Sequence, residues 1–117
     1  MIWYTYLANS NVIENQFVQL SSDGSKVELH SNGTPLGLCI RVDVMEDTQE
    51  RIAQVYSAGG SGENAILGTN WDGSPSRFDV INSKVVPVSS NGIGWIIPDF
   101  PKASKVSGDA VRIALYD

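Results

Sequence analysis

One cysteine, one histidine and a light load of charge set the first limits on what these 117 residues can do. The lone Cys39 excludes an internal disulfide and any multi-cysteine metal site. It sits in the apolar run Leu36-Gly37-Leu38-Cys39-Ile40 and reads as a small buried hydrophobe. Charged residues are 18% of the chain, below the usual share of about a quarter, so part of the surface is expected to be hidden in a partner. The net charge is −5 and no basic cluster occurs, which argues against nucleic acid as that partner. No apolar run is long enough to cross a bilayer, and Met1–Ala8 lacks a positive leader. The expectation is a chain neither exported nor held in a membrane.

What is present is an internal repeat. Val27-Glu28-Leu29-His30-Ser31-Asn32-Gly33 answers Val86-Pro87-Val88-Ser89-Ser90-Asn91-Gly92, with an identical Ser-Asn-Gly. After each comes a glycine and a hydrophobic run, Gly37-Leu38-Cys39-Ile40 and Gly94-Trp95-Ile96-Ile97. Arg51-Ile52-Ala53 matches Arg112-Ile113-Ala114, and Phe17-Val18-Gln19-Leu20 is set against Phe78-Asp79-Val80-Ile81. Val55-Tyr56 follows Leu115-Tyr116 with one residue of slippage.

Asn-Gly supplies the positive φ that tight hairpin turns need, and Lys26–His30 alternates in period two with Val27 and Leu29 inward. Asp23-Gly24-Ser25 closes the preceding turn. Pro87 has no N–H and belongs on an edge or at a gap in the ladder. The reading is an all-β fold: a small β-barrel, β-tulip or sandwich of two pseudo-repeated four-strand units with at most one short helix. Residues 1–14 form an N-terminal arm without counterpart, ahead of a single β domain over 15–117. That domain divides into repeat one (15–56), a connector (57–76) with a strand-like Ala65-Ile66-Leu67, and repeat two (77–117). Asp43–Ala58 also fits a capped helix, but the repeat assigns Arg51–Tyr56 to a strand and leaves room for a helical turn at Glu46–Glu50.

Catalytic chemistry needs titratable groups gathered in a pocket. His30 alternates outward and is matched by Ser89, so it reads as solvated. Glu46, Asp47 and Glu50 read as a solvated loop beside Arg51. Gly60-Ser61-Gly62-Glu63-Asn64-Ala65 fits a loose dinucleotide pattern, but Gly68, Gly73 and Pro75 deny it the helix it requires. Asn70-Trp71-Asp72-Gly73 lacks the spaced acids of a calcium loop and reads as a turn. Asn32-Gly33-Thr34 spells a glycosylation sequon yet is read as a turn. No catalytic, cofactor or metal site is expected, and the chain is expected not to be an enzyme.

The aromatics remain. Trp95 aligns with Leu38 and is expected in the core. Trp3, Tyr4 and Tyr6 lie in the arm, which either packs back on the barrel or docks on a neighbour, and Trp71 lies in the connector; these four form the expected interface, since such residues make hot spots. Deleting 1–14 is expected to leave a folded monomer that fails to assemble.

Lys84-Val85-Val86-Pro87, the phrases Pro35-Leu36-Gly37 and Gly92-Ile93-Gly94-Trp95 after the turns, and the closing Gly108–Asp117 stretch resemble the head decoration (capsid cement) proteins of tailed bacteriophages. The resemblance covers roughly 15–117 and is one of order and style. It implies a small β-barrel or β-tulip on the outside of a capsid, partnered by the major capsid protein and by neighbouring copies of itself, a trimer before a dimer. It also implies a place on the virion surface, no membrane and no cofactor. Two alternatives stand beside it: a carbohydrate- or receptor-binding β module using Trp71, and a phage tail or baseplate adaptor.

Overall fold

In the computed structural model, which describes residues 2–59 and 63–116 (side chains of 2, 3, 58 and 63 excepted), the chain is all-β. Ten strands follow one another: β1 (Ile2–Ala8), β2 (Phe17–Leu20), β3 (Val27–Leu29), β4 (Gly37–Val44), β5 (Arg51–Ala58), β6 (Glu63–Ile66), β7 (Ser76–Ile81), β8 (Lys84–Val88), β9 (Gly94–Ile97) and β10 (Ala110–Leu115). Strands β1 to β5 close into a barrel in the order β1-β3-β2-β4-β5. Strands β6 to β10 form a second sheet in the order β6-β10-β9-β7-β8. Read around the circle from the first strand of each, the two orders are the same.

The repeat is therefore five strands long, which corrects the four-strand unit and the reading of residues 1–14 as an arm without counterpart. β1 runs antiparallel to β5 from Ile2↔Ala58 to Ala8↔Arg51. Its equivalent is β6, which runs antiparallel to β10. Parallel bridges lie at the same place in both units, Ala8↔Val27 closing the first barrel and the single Leu67↔Val85 bridge linking the two ends of the second sheet. The following amides confirm it: Asn9 N–H donates to Val27 O at 2.9 Å, and Gly68 N–H to Val85 O at 2.8 Å. Ile2–Ala8 and Glu63–Leu67 share almost no side-chain pattern, because what equates them is backbone pairing.

The Asn-Gly pairs do not make hairpins. β3 pairs with β1 and β2, while β4 pairs with β2 and β5, so 30–36 must cross the end of β2. Residues 89–93 cross β7 likewise. Left-handed Gly33 (φ 73), Asn91 (φ 63) and Gly92 (φ 94) bend these crossovers. The tight hairpin lies between β7 and β8, where Asn82 (φ 47) and Ser83 (φ 70) give the two positive φ values of a type I′ turn. Strand is the outcome for Arg51–Ala58, with turns and no helix over 45–50. Pro87 lies on β8, the edge of the second sheet.

After each crossover the chain passes close beneath its neighbour. A Cβ on Gly37 would stand 2.7 Å from Val55 Cγ1 and against the Tyr56 carbonyl. One on Gly94 would stand 2.7 Å from Phe78 Cε1 and against the Ala114 carbonyl. Both glycines exist for backbone approach.

Two buried clusters result. Ala8, Val12, Val18, Val27, Cys39, Ala53 and Val55 fill the first barrel. The second cluster fills the other unit with Phe78, Val85, Ile96 and Ile113 among others, and it also takes Phe17, Leu38 and Tyr56 from the outer face of the first barrel. The Phe17 and Phe78 rings meet at 6.1 Å across the boundary. The two units form one body of 46 × 25 × 24 Å.

Candidate docking surface

The register shows what each unit turns outward. Across β2, β4 and β5 the adjacent residues Phe17, Leu38 and Tyr56 form one row. Across β7, β9 and β10 the equivalent row is Arg77, Trp95 and Ala114. Their neighbours fix the equivalence: Val18↔Gly37 corresponds to Phe78↔Gly94, and Cys39↔Val55 to Ile96↔Ile113. Leu36 N–H donates to Val18 O and Ile93 N–H to Phe78 O in the same way. This moves four sequence matches. Phe17 answers Arg77, one place before Phe78, and Val27 answers Val85, one place before Val86. Ala53 answers Val111, three places before Ala114, and Val55 answers Ile113, two places before Leu115.

The first row is wholly buried, because the second unit covers it. Polar contacts hold the cover in place. Phe17 N–H donates to Ser83 O at 2.9 Å, Ile66 N–H to Asn15 O at 3.1 Å, and the Ser83 hydroxyl to Gln16 Oε1 at 2.6 Å. His30, expected in solvent, lies inside this junction at 3% exposure. The Ser83 amide donates to its Nδ1 at 3.2 Å, and its Nε2 lies 2.8 Å from the Gly33 carbonyl. An amide can only donate and a carbonyl only accept, so the ring is the neutral tautomer carrying its proton on Nε2. The alternation that pointed His30 outward ends with β3 at Leu29.

The second row stands open. Trp95 is 42% exposed, with the Arg77 guanidinium 5.3 Å from its ring centroid and Tyr116 edge-on at 6.3 Å. Arg112 and Ile97, paired across β10 and β9, continue the face. Trp, Tyr and Arg are the residues that dominate protein interfaces, and here they touch one another on a rigid sheet. Trp95 was expected in the core. Ile96 points inward at 1% exposure, so strand alternation turns Trp95 out. Gly-Trp-Ile-Ile carries no polar residue that would betray this parity.

Of the four expected interface residues, Trp3, Tyr4 and Tyr6 lie on β1 and Trp71 stands apart in the second unit. Trp71 is buried at 4% in the second cluster, its Nε1–H donating to Ser74 O at 2.9 Å and to the Ser76 hydroxyl at 3.2 Å, so it offers no platform to a sugar. Tyr4 is half exposed beside Tyr6, with centroids 6.1 Å apart, while Tyr6 packs on the first barrel's core. Only the backbone of Trp3 is described, paired with Tyr56; its side chain lies outside the described residues, as do residues 60–62 of the dinucleotide-like stretch. Cys39 is fully buried, and desolvation pushes its thiol up to about 11. At 70–73 the chain is a turn in which Asp72 Oδ1 accepts from Ser74 N–H at 2.9 Å; that bond, first among the causes, holds the carboxyl below its ordinary value. Among the described residues no group of three His, Cys, Asp or Glu could hold a metal ion. No known protein family, no curated protein and no solved structure matches the chain.

Proposed function

We propose that this chain is a structural virion protein that binds the outside of an assembled phage capsid and stabilises it, without catalysing a reaction. The observation that carries the reading is the open Arg77–Trp95–Tyr116 face, an interface-type cluster on a stiff sheet. A cement protein needs such a body, since its work is mass action: it binds the assembled shell in preference to loose subunits and so lowers the free energy of the shell. Many copies on symmetry-related sites add their effects. The phrases that carry the resemblance fall on framework elements, Lys84–Pro87 on β8 and the chain's last stretch on β10, consistent with a family likeness in the scaffold.

The test is binding of the purified chain to particles lacking it, followed by mass spectrometry with copy counting and a heat-stability assay of the particles. Copy numbers on the scale of the capsid lattice and a raised disruption temperature are expected. Occupancy limited to a single ring's worth of copies assigns the chain to the tail or baseplate, and binding to glycans but not particles refutes the structural role.

A further inference from the structure

The open face of the second unit does not end at Tyr116. A cleft of about 170 Å³ opens at the junction of the two units, and Tyr116 lines it with Thr34, Pro35, Leu36, Ile93 and Leu115. Tyr116 therefore belongs both to the cleft and to the Trp95 cluster. Among the described residues, none that lines the cleft is charged. The volume is well below the roughly 300–1,000 Å³ of a site for a drug-sized ligand. It is close to the roughly 150 Å³ of a cavity that holds one benzene ring. One side chain the size of Leu or Phe is what such a cleft can take.

The rim beside the cleft is positive. Arg77 and Arg112 are both exposed there, and among the described residues neither meets a carboxylate at ion-pair distance. The chain carries thirteen Asp and Glu and a net charge of −5, yet its described ion pairs lie elsewhere, at Arg41–Asp43 and Lys105–Asp99. Asp79 shares the outward side of β7 with Arg77, but its Oδ1 accepts from the Val80 amide at 2.8 Å. A guanidinium resting on an indole, as Arg77 does on Trp95, keeps its N–H fork open to a planar acceptor, and a carboxylate fits that fork. Two guanidiniums on a chain of this net charge are too few for a nucleic acid. The acidic balance of the whole chain weighs little at contact, because salt screens it over about 8 Å.

Resting on the reading of this face as a docking surface, we infer that it takes an extended acidic segment of another protein. One apolar side chain of that segment enters the cleft, and flanking carboxylates meet Arg77 and Arg112. Steps of 5.3 and 6.3 Å lead from Arg77 across Trp95 to Tyr116 at the cleft. Side chains on one side of an extended chain recur every roughly 6.6 Å, so about four residues cover that path in register with it. The exposed indole lies midway and offers apolar area to the segment between its anchor and its charge.

Capped hexapeptides test it, each with Phe or Ser among Glu or Lys residues, titrated into the nitrogen-15-labelled full chain with the Trp95 indole N–H as the signal. The Glu–Phe peptide is expected to bind with a Kd on the order of 1 mM. Exchanging its Glu for Lys, or its Phe for Ser, is expected to weaken binding about tenfold or more. Two variants at exposed positions separate the parts, with circular dichroism to check their folds. Arg77→Glu with Arg112→Glu is expected to prefer the Lys–Phe peptide. Thr34→Phe, which fills the cleft from its rim, is expected to lose the preference for Phe over Ser and keep that for Glu over Lys. Lys peptides that bind wild type as well as Glu peptides overturn the inference, as does the absence of any shift at about 10 mM. A Trp95 shift that follows the chain's own concentration names a second copy as the occupant and also overturns it. The same variants offered to particles lacking the chain separate this inference from the capsid role. Particles that bind wild type and both variants alike overturn the inference and leave the role standing. Particles that bind none of them, while the peptides keep their order, refute the role and leave the inference standing.

Discussion

Leu38 and Trp95 occupy the same place in the two units, the middle of the outward row, so truncating each to alanine measures what covering that row is worth. Leu38 is fully buried between Phe17, Tyr56 and the second unit. Burial of this degree makes Leu→Ala cost about 2–5 kcal/mol, set by how far the site can collapse. The lower middle of that range, about 3 kcal/mol, is expected for Leu38→Ala. Trp95 is 42% exposed and loses mainly one arginine and one tyrosine contact. At a solvated site these are worth roughly 1 kcal/mol together. Urea unfolding followed by far-ultraviolet circular dichroism, at concentrations where the protein is monomeric, should show the difference of about 2 kcal/mol with unchanged m-values. Thermal midpoints should fall by about 12 °C for Leu38→Ala and about 4 °C for Trp95→Ala. Wild type should unfold in one transition, because the shared cluster joins the units. Equal losses for the two variants would refute the claim that equivalent rows differ in cover.

Other consequences follow from individual contacts. Removing residues 1–14 takes away β1, breaks the first barrel and exposes the Cys39–Val55 interior, so the truncated chain should lose cooperative unfolding; a folded, soluble truncation would show that β1 is dispensable. Cys39 should resist a thiol reagent at pH 8 until urea unfolds the chain, and rapid modification of the native protein would contradict its burial. Because the thiol is pushed up to about 11 in the fold against about 8.5 in the open chain, its contribution is complete below about 8.5 and fades as pH rises towards 11. Asp23 behaves in the opposite sense. The Ser25 N–H at 3.0 Å, then the Ser21 and Ser25 hydroxyls at 2.8 Å, hold its carboxyl at about 2. What this turn contributes is present above about 3.9 and lost as pH falls towards 2; a carbon-detected titration giving Asp23 a midpoint near 4 would disprove the arrangement.

The strands β2 to β5 and β7 to β10 were legible because alternation and turn residues are local signals, and because each unit could be checked against the other. β1 and β6 were not. Tyr-Thr-Tyr-Leu-Ala and Asn-Ala-Ile-Leu have little in common as side chains, and their equivalence lies in which carbonyl the next amide meets, Val27 O or Val85 O. His30 was misjudged for a related reason: its partner Ser83 is 53 residues away, and no period within β3 encodes that. The same limit governs the docking surface. In Gly37-Leu38-Cys39 and Gly94-Trp95-Ile96 the glycine marks the same close approach, and the third residue points into the interior of its own unit. The middle residue points out of both. Whether outward means buried depends on what the next unit does, and the chain contains two rows but only one cover. A repeat therefore conserves place in the barrel without conserving exposure. The covered position carries Leu and its row-mates Phe17 and Tyr56. The uncovered one carries Trp with Arg77 beside it, residues that tolerate water at one end and still supply apolar area when a partner arrives.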